Sequence, residues 1–214
     1  MNKKLTLPQT IIITLFCIMM ILAIFNMPQL GIFSIGVSAL FVVIATLSDR
    51  KGIFISIAMV ILGLVLFIKP IYIFDICLNF IIPGIIIGMI TKNVLNHRED
   101  NKYNPIFMGT IAFIIGLIAN YLISKYLFNI NILEEFTSVM KTQLSTQISA
   151  IQESVSSLAS VSNITEESII QTVLNIMPLI LFSRSIMLSI LTYFLAIYTL
   201  KKIRKNDLKE KLMQ

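Results

Sequence analysis

Six long apolar stretches leave little room for any fold but a helical membrane protein. They run from Ile11 to Phe25, Ile32 to Leu47, Ile53 to Ile68, Ile71 to Ile90, Ile106 to Phe128 and Pro178 to Leu200. A helix needs about 20 apolar residues to cross about 30 Å of hydrocarbon. Lipid offers no partner for backbone N–H and C=O groups, so each run is expected as a helix rather than a lone strand. Six spans consume about 120 residues. Hydrophobic residues are 57% of the 214, which matches that need. Charged residues are 13%, about half the share usual in a soluble domain. The first three runs are short and must borrow flanking residues to span. The expectation is an all-α, polytopic membrane protein with six transmembrane helices, forming one membrane domain over residues 1–214.

Several chemistries drop out. Cys17 and Cys77 lie in apolar runs without CxxC spacing, which argues against a disulfide framework or a metal cluster. His97 is the only histidine and has no HExxH context. No Walker loop, GxGxxG or GxSxG string occurs, and no nucleophile has a nearby base. Neither metal, cofactor nor enzymatic activity is expected. The Lys3-Lys4 head before an apolar run could imitate a secretory signal, but the run ends in Phe25-Asn-Met-Pro28 with no A-x-A-like site. It reads as an uncleaved first span.

Basic residues orient the chain. With the N-terminus inside, the cytoplasmic segments hold 13 of the 17 Lys and Arg residues, and the external segments hold only Lys69, Lys125 and Lys141. Arg184 lies within a span. Both termini are therefore expected in the cytoplasm, which requires an even number of spans in the inner membrane. The net charge of +6 then follows from topology and gives no reason to expect nucleic acid. The basic tail at 201–214 is expected against anionic headgroups, with docking of a partner as the other reading.

Residues 129–165, between the fifth and sixth spans, are too polar to enter lipid. Apolar positions step by three or four from Leu133 through Phe136, Met140 and Leu144 to Val161, a single helical stripe opposite Ser, Thr and Gln. This is expected as an external amphipathic helix lying on the membrane surface, closing over an outward site, or pairing with a second copy. Asn163 and Glu166 read as the cap of a sixth helix that starts outside and bends at Pro178.

Polar groups inside spans are costly and therefore informative. Asp75 and Asn79 are four apart, on one face of the fourth span. Asn120 lies in the fifth span and Arg184 in the sixth. At 1.5 Å per residue, their offsets outward of the midplane are about 9, 3, 6 and 7 Å respectively. Four polar groups in the outer half of three consecutive helices can line a small pocket open to the outside. They can equally be structural, with Asp75 neutralising Arg184 and the two asparagines bonding helix to helix. Close packing is signalled by Gly84-x-x-x-Gly88 and Ala112-x-x-x-Gly116, which suggest that the fourth and fifth helices approach one another. The 11 methionines are scattered as gap-fillers, and Tyr72, Tyr103, Tyr126 and Tyr198 suit the two interfaces.

Four strings carry a family resemblance: Pro28-Gln-Leu-Gly31, Asp49-Arg-Lys-Gly52, Pro83-Gly-Ile-Ile-Ile-Gly88 and Met177-Pro-Leu-Ile-Leu-Phe-Ser183. With the long external helix before the last of them, the chain resembles the YybS-like family of bacterial membrane proteins, a domain-of-unknown-function group whose members usually carry further spans after the sixth. That family is similar in fold to the substrate-binding S components of energy-coupling-factor vitamin transporters, which have six spans, both termini inside and an outward pocket. Many S components also carry Ala-x-x-x-Ala in the first helix for docking, a pair that Ile11 to Phe25 lacks. The resemblance implies a membrane subunit that binds a small polar or anionic solute from outside and depends on a coupling subunit and ATPase subunits. The pocket would be Asp75, Asn79, Asn120 and Arg184, with Arg184 anchoring an anionic group. The competing expectation is a non-transporting interaction or scaffold protein that acts, or self-associates, through the external helix and the basic tail.

Overall fold

Proline and charge mark the helix ends. The computed structural model describes residues 5–96, 101–154 and 166–212. Lys3, Lys4, His97, Arg98, Asn163 and the distal stripe residues Val155, Leu158 and Val161 lie outside them. Helix α1, Leu7–Asn26, opens with Pro8 in its first turn, where a missing N–H costs nothing. There the Thr6 N–H donates to Gln9 Oε1 at 3.1 Å. It stops before Pro28, which begins a 3₁₀ turn, Pro28–Phe33, leading into α2, Ser34–Leu47. Helix α3, Arg50–Val65, follows Asp49. Lys69 is extended (φ −61°, ψ 145°) because it precedes Pro70, and α4, Pro70–Ile76, starts there. A π turn, Cys77–Ile81, joins α4 to α5, Ile82–Asn96. Helix α6 is Asn104–Leu127, α7 Ile132–Ser154 and α8 Glu166–Leu212. Among the described residues there is no strand.

Among the described residues five stretches are long and apolar enough to cross a membrane: Leu7–Asn26, Gln29–Leu47, Pro70–Asn96, Asn104–Leu127 and Glu167–Ile203. The fourth span expected from the sequence thus combines α4, the π turn and α5. The third is the exception. Helix α3 has 16 residues, about 24 Å of length, because Asp49 and the Lys69-Pro70 pair close in on it from either side.

The chain forms two compact units, residues 1–120 with 184–214, and residues 121–183. In the first, α1 packs on α2 and α3, and α2 makes its broadest contact with α5. Polarity is inverted relative to a soluble protein. Thr10, Thr14, Ser38, Thr46, Ser56 and Ser189 are buried, whereas Ile12, Phe54, Phe107 and Met187 are more than half exposed. That is the distribution expected when the surrounding solvent is lipid, so helix contacts must come from close packing and hydrogen bonds rather than from hydrophobic burial. Accordingly, the Thr10 and Ser48 hydroxyls meet at 3.2 Å, and Thr14 donates to Ser56 Oγ at 3.0 Å. Ser189 of α8 donates to the Ile106 carbonyl of α6 at 2.7 Å. Lys92 Nζ donates to the Ser48 carbonyl at 2.8 Å, capping the end of α2. Cys17, Phe41, Ile44 and Leu64 centre one apolar cluster; Val42, Ile87, Phe113 and Ala196 centre another.

In the second unit α6 ends in a turn through a left-handed residue. Asn129 takes φ 54° and the Ile130 N–H donates to the Ser124 carbonyl at 2.9 Å. Helix α7 then covers the first two thirds of the segment read as external. Of its stripe, Met140 and Leu144 are half-buried while Leu133 and Phe136 are exposed.

Candidate functional site

Pro83 shapes the fourth span. A proline inside a helix gives no N–H to the carbonyl four residues back, and its ring collides with that carbonyl. Four residues before Pro83 is Asn79, and the chain relieves the collision by widening into the π turn at Cys77–Ile81, where the Ile82 N–H reaches back to Cys77. Single π turns of this kind recur at functional sites. Here the turn carries Asn79 and begins directly after Asp75 and Ile76, the end of α4.

The structure brings three of the four polar residues together. Asn79 Nδ2 donates to Asp75 Oδ1 at 2.5 Å, and Asn120 Nδ2 of α6 donates to the same oxygen at 2.7 Å. One carboxylate oxygen thus receives both amides. Asn79 is buried, with 6% of its surface exposed, and its own Oδ1 has no partner among the described residues. The cluster is held from α6 by Gly116, one turn before Asn120. A β-carbon at Gly116 would run into the Leu78 carbonyl of the π turn and stand 3.8 Å from Asn79 Oδ1. Only glycine lets the two helices approach this closely.

Arg184 is placed differently. It is exposed and makes no hydrogen bond or ion pair among the described residues, although its charge acts on Asp75 through space. A contact salt bridge between the two is therefore not formed. Around it, Ser185, Ser189 and Thr192 are fully buried.

The small-residue motifs resolve into two contacts. Gly84 and Gly88 face α2 rather than the fifth span: β-carbons there would lie 2.5 Å from the Ser38 carbonyl and 2.6 Å from both Ala45 Cβ and the Val42 carbonyl. The Thr46 hydroxyl, 3.2 Å from the Gly88 carbonyl, adds a bond to the same seam. From the fifth span, Gly116 meets Leu78 and Ala112 is buried. Gly109, which spacing did not single out, packs against Ile87 and Ser189. The π turn was also missed. Its signal was present in Pro83 standing four residues after Asn79.

If Pro83 holds the turn open, Pro83→Ala should let it close as regular helix, since proline in a helix interior costs about 3 kcal/mol relative to alanine. Losing one residue of register rotates Asp75 by about 100°, away from Asn120. In a chain carrying Cys17→Ala and Cys77→Ala, oxidative cross-linking of Asp75→Cys to Asn120→Cys should be efficient and should fall several-fold when Pro83→Ala is added. Unchanged cross-linking would show that the turn does not depend on Pro83.

Among the described residues no three His, Cys, Asp or Glu side chains gather into a metal-binding group. The model of a family described as "Predicted membrane protein (DUF2232)" matches residues 14–211. No curated protein and no solved structure matches the chain.

Proposed function

Starting from the chain's membership of the DUF2232 family of predicted membrane proteins, we propose that it is a solute-binding membrane subunit of a transport complex, similar to an S component. In this reading α3, extended by its flanking turns, serves as a sixth span, both termini face the cytoplasm, and the site opens outward from the inner membrane. The solute is small and polar or anionic. Asp75, Asn79 and Asn120 orient it, and Arg184 supplies the charge that anchors an anionic group. The chain does no chemistry on the solute. Energy comes from a coupling subunit and ATPases, because the sequence contains no nucleotide-binding loop.

The observation that carries this reading is the unpaired Arg184. A guanidinium in a span without an ion-pair partner among the described residues is costly unless something else answers its charge. An anionic solute does so. The reading is tested by purifying the tagged chain from its native host in mild detergent and identifying what accompanies it. Stoichiometric recovery of a membrane coupling subunit with paired ATPases supports it; enrichment of other envelope proteins instead overturns it.

A second reading is favoured by one feature. Leu133, Phe136 and Val139 on α7 are 38–54% exposed, so the amphipathic helix keeps apolar surface for a protein or lipid partner. On this reading the chain is a scaffold working through α7 and the basic tail. The same purification separates the two.

A further inference from the structure

We infer that the π turn between α4 and α5 holds a monovalent cationic centre, bound by the Asp75 carboxylate and the Asn79 side-chain oxygen. The inference rests on reading this cluster as a ligand site, and not on the ATPase partnership.

The argument concerns what the cluster leaves unsatisfied. Asp75 Oδ1 is fully engaged by two amide donors, Asn79 Nδ2 and Asn120 Nδ2. Both donors are neutral, so they orient the carboxylate without cancelling its charge. Arg184 makes no hydrogen bond or ion pair among the described residues and acts on Asp75 only through space. Asn79 turns its amide nitrogen to Asp75, which leaves its oxygen as a buried acceptor with no donor among the described residues. An orphaned buried acceptor costs about 1–3 kcal/mol. Were the cluster only helix-to-helix glue, leucine or serine at position 79 would avoid that cost.

Backbone chemistry adds to the deficit. Pro83 has no N–H, so it cannot give a helix bond to the Asn79 carbonyl four residues back or to the Leu78 carbonyl five back. The region is therefore rich in oxygen acceptors and poor in donors: a negative carboxylate, an unpartnered amide oxygen and a backbone short of the one N–H that Pro83 lacks. Interrupted membrane helices use such carbonyls and carboxylates to hold small cations. An anion here would face the charge of the Asp75 carboxylate and the acceptor oxygen of Asn79. Arg184 then takes the opposite end of the site. The pair divides the labour, with a cationic centre at the turn and an anionic group at the arginine.

Two sources share this chemistry, a free sodium ion and the ammonium head of a zwitterionic solute. Thermal unfolding of the full chain in detergent separates them. Sodium chloride replaces choline chloride at constant ionic strength in one titration, and methylammonium chloride replaces it in the other. We expect a saturable rise of several degrees in Tm with sodium or with methylammonium, but not with choline. A response to sodium assigns a free-ion site; a response to methylammonium alone assigns an amine head. Asp75→Asn and Asn79→Leu should each abolish the response. No saturable rise in the wild-type chain, or a response surviving both variants, would overturn the inference. The wild-type titration decides even if neither variant folds. Its failure leaves the Arg184-centred solute reading intact, and failure to recover ATPases leaves this site intact.

Discussion

Gly88→Leu is expected to abolish recovery of folded protein, with the chain eluting as aggregate in size-exclusion chromatography or unfolding far below wild type. The contact between α2 and α5 is built on backbone proximity. A β-carbon at position 88 would lie 2.6 Å from Ala45 Cβ, 2.6 Å from the Val42 carbonyl and 3.0 Å from Val42 Cα. Overpacking a core by rotamer shifts typically costs about 1–3 kcal/mol. Here two of the three obstacles are backbone, which no rotamer change can move. The helices must separate, taking with them the Thr46 hydroxyl bond to Gly88. The controls are glycines without such neighbours. Gly31→Ala meets nothing within 4 Å, and Gly36→Ala meets only the flexible end of Met20 at 3.1 Å. Both should fold with near-wild-type Tm. If Gly88→Leu behaved like them, the α2–α5 seam would be looser than its geometry requires.

Arg184→Ala is expected to separate binding from folding. Arg184 is exposed and makes no hydrogen bond or ion pair among the described residues, so its loss strands no hydrogen-bond partner and removes only a through-space charge from Asp75. Insertion, yield and Tm should therefore stay near wild type; removing an unpaired charge from a span can even stabilise. Retention of an anionic solute should fall by at least about tenfold, since a charge-assisted hydrogen bond contributes about 1.5–3 kcal/mol. Untargeted mass spectrometry of small molecules released from the purified wild type and variant measures both. A species held by wild type and lost from Arg184→Ala, with Arg184→Lys intermediate, is the expected pattern. Loss of stable protein with no separable effect on bound solute would make Arg184 a structural residue.

How much of this was legible can be judged residue by residue. The all-helical architecture was, because apolar runs long enough to span leave the backbone no alternative and because Pro8, Pro28 and Pro70 mark helix starts. So was the placing of Asp75 and Asn79 on one helix face, which follows from a spacing of four, whereas the bond between them was not, since the sequence offered Arg184 as the partner of Asp75. Their meeting with Asn120 depends on how two helices pack, and depth estimates alone put the groups at similar heights without choosing their azimuth. The partner of Gly84 and Gly88 was not legible for the same reason. Small residues permit close approach to any neighbour, and α2, with Ser38, Val42 and Ala45 in register, is the neighbour they meet. Among the described residues five stretches rather than six reach spanning length, because its ends limit α3 to 16 residues. The orphaned oxygen of Asn79 lay furthest from view, for it depends on a π turn that Pro83 enforces at a distance.

The claim underlying the whole account is that the polar site is open to water from the outside. Arg184→Cys tests it most directly, in a chain whose two native thiols are removed by Cys17→Ala and Cys77→Ala. Intact cells are treated with a membrane-impermeant maleimide and the protein is then purified and weighed. The account predicts labelling at position 184 from outside, before any membrane is broken. A thiol that reacts only after the membrane is disrupted would place position 184 in lipid or facing the cytoplasm, and would contradict it.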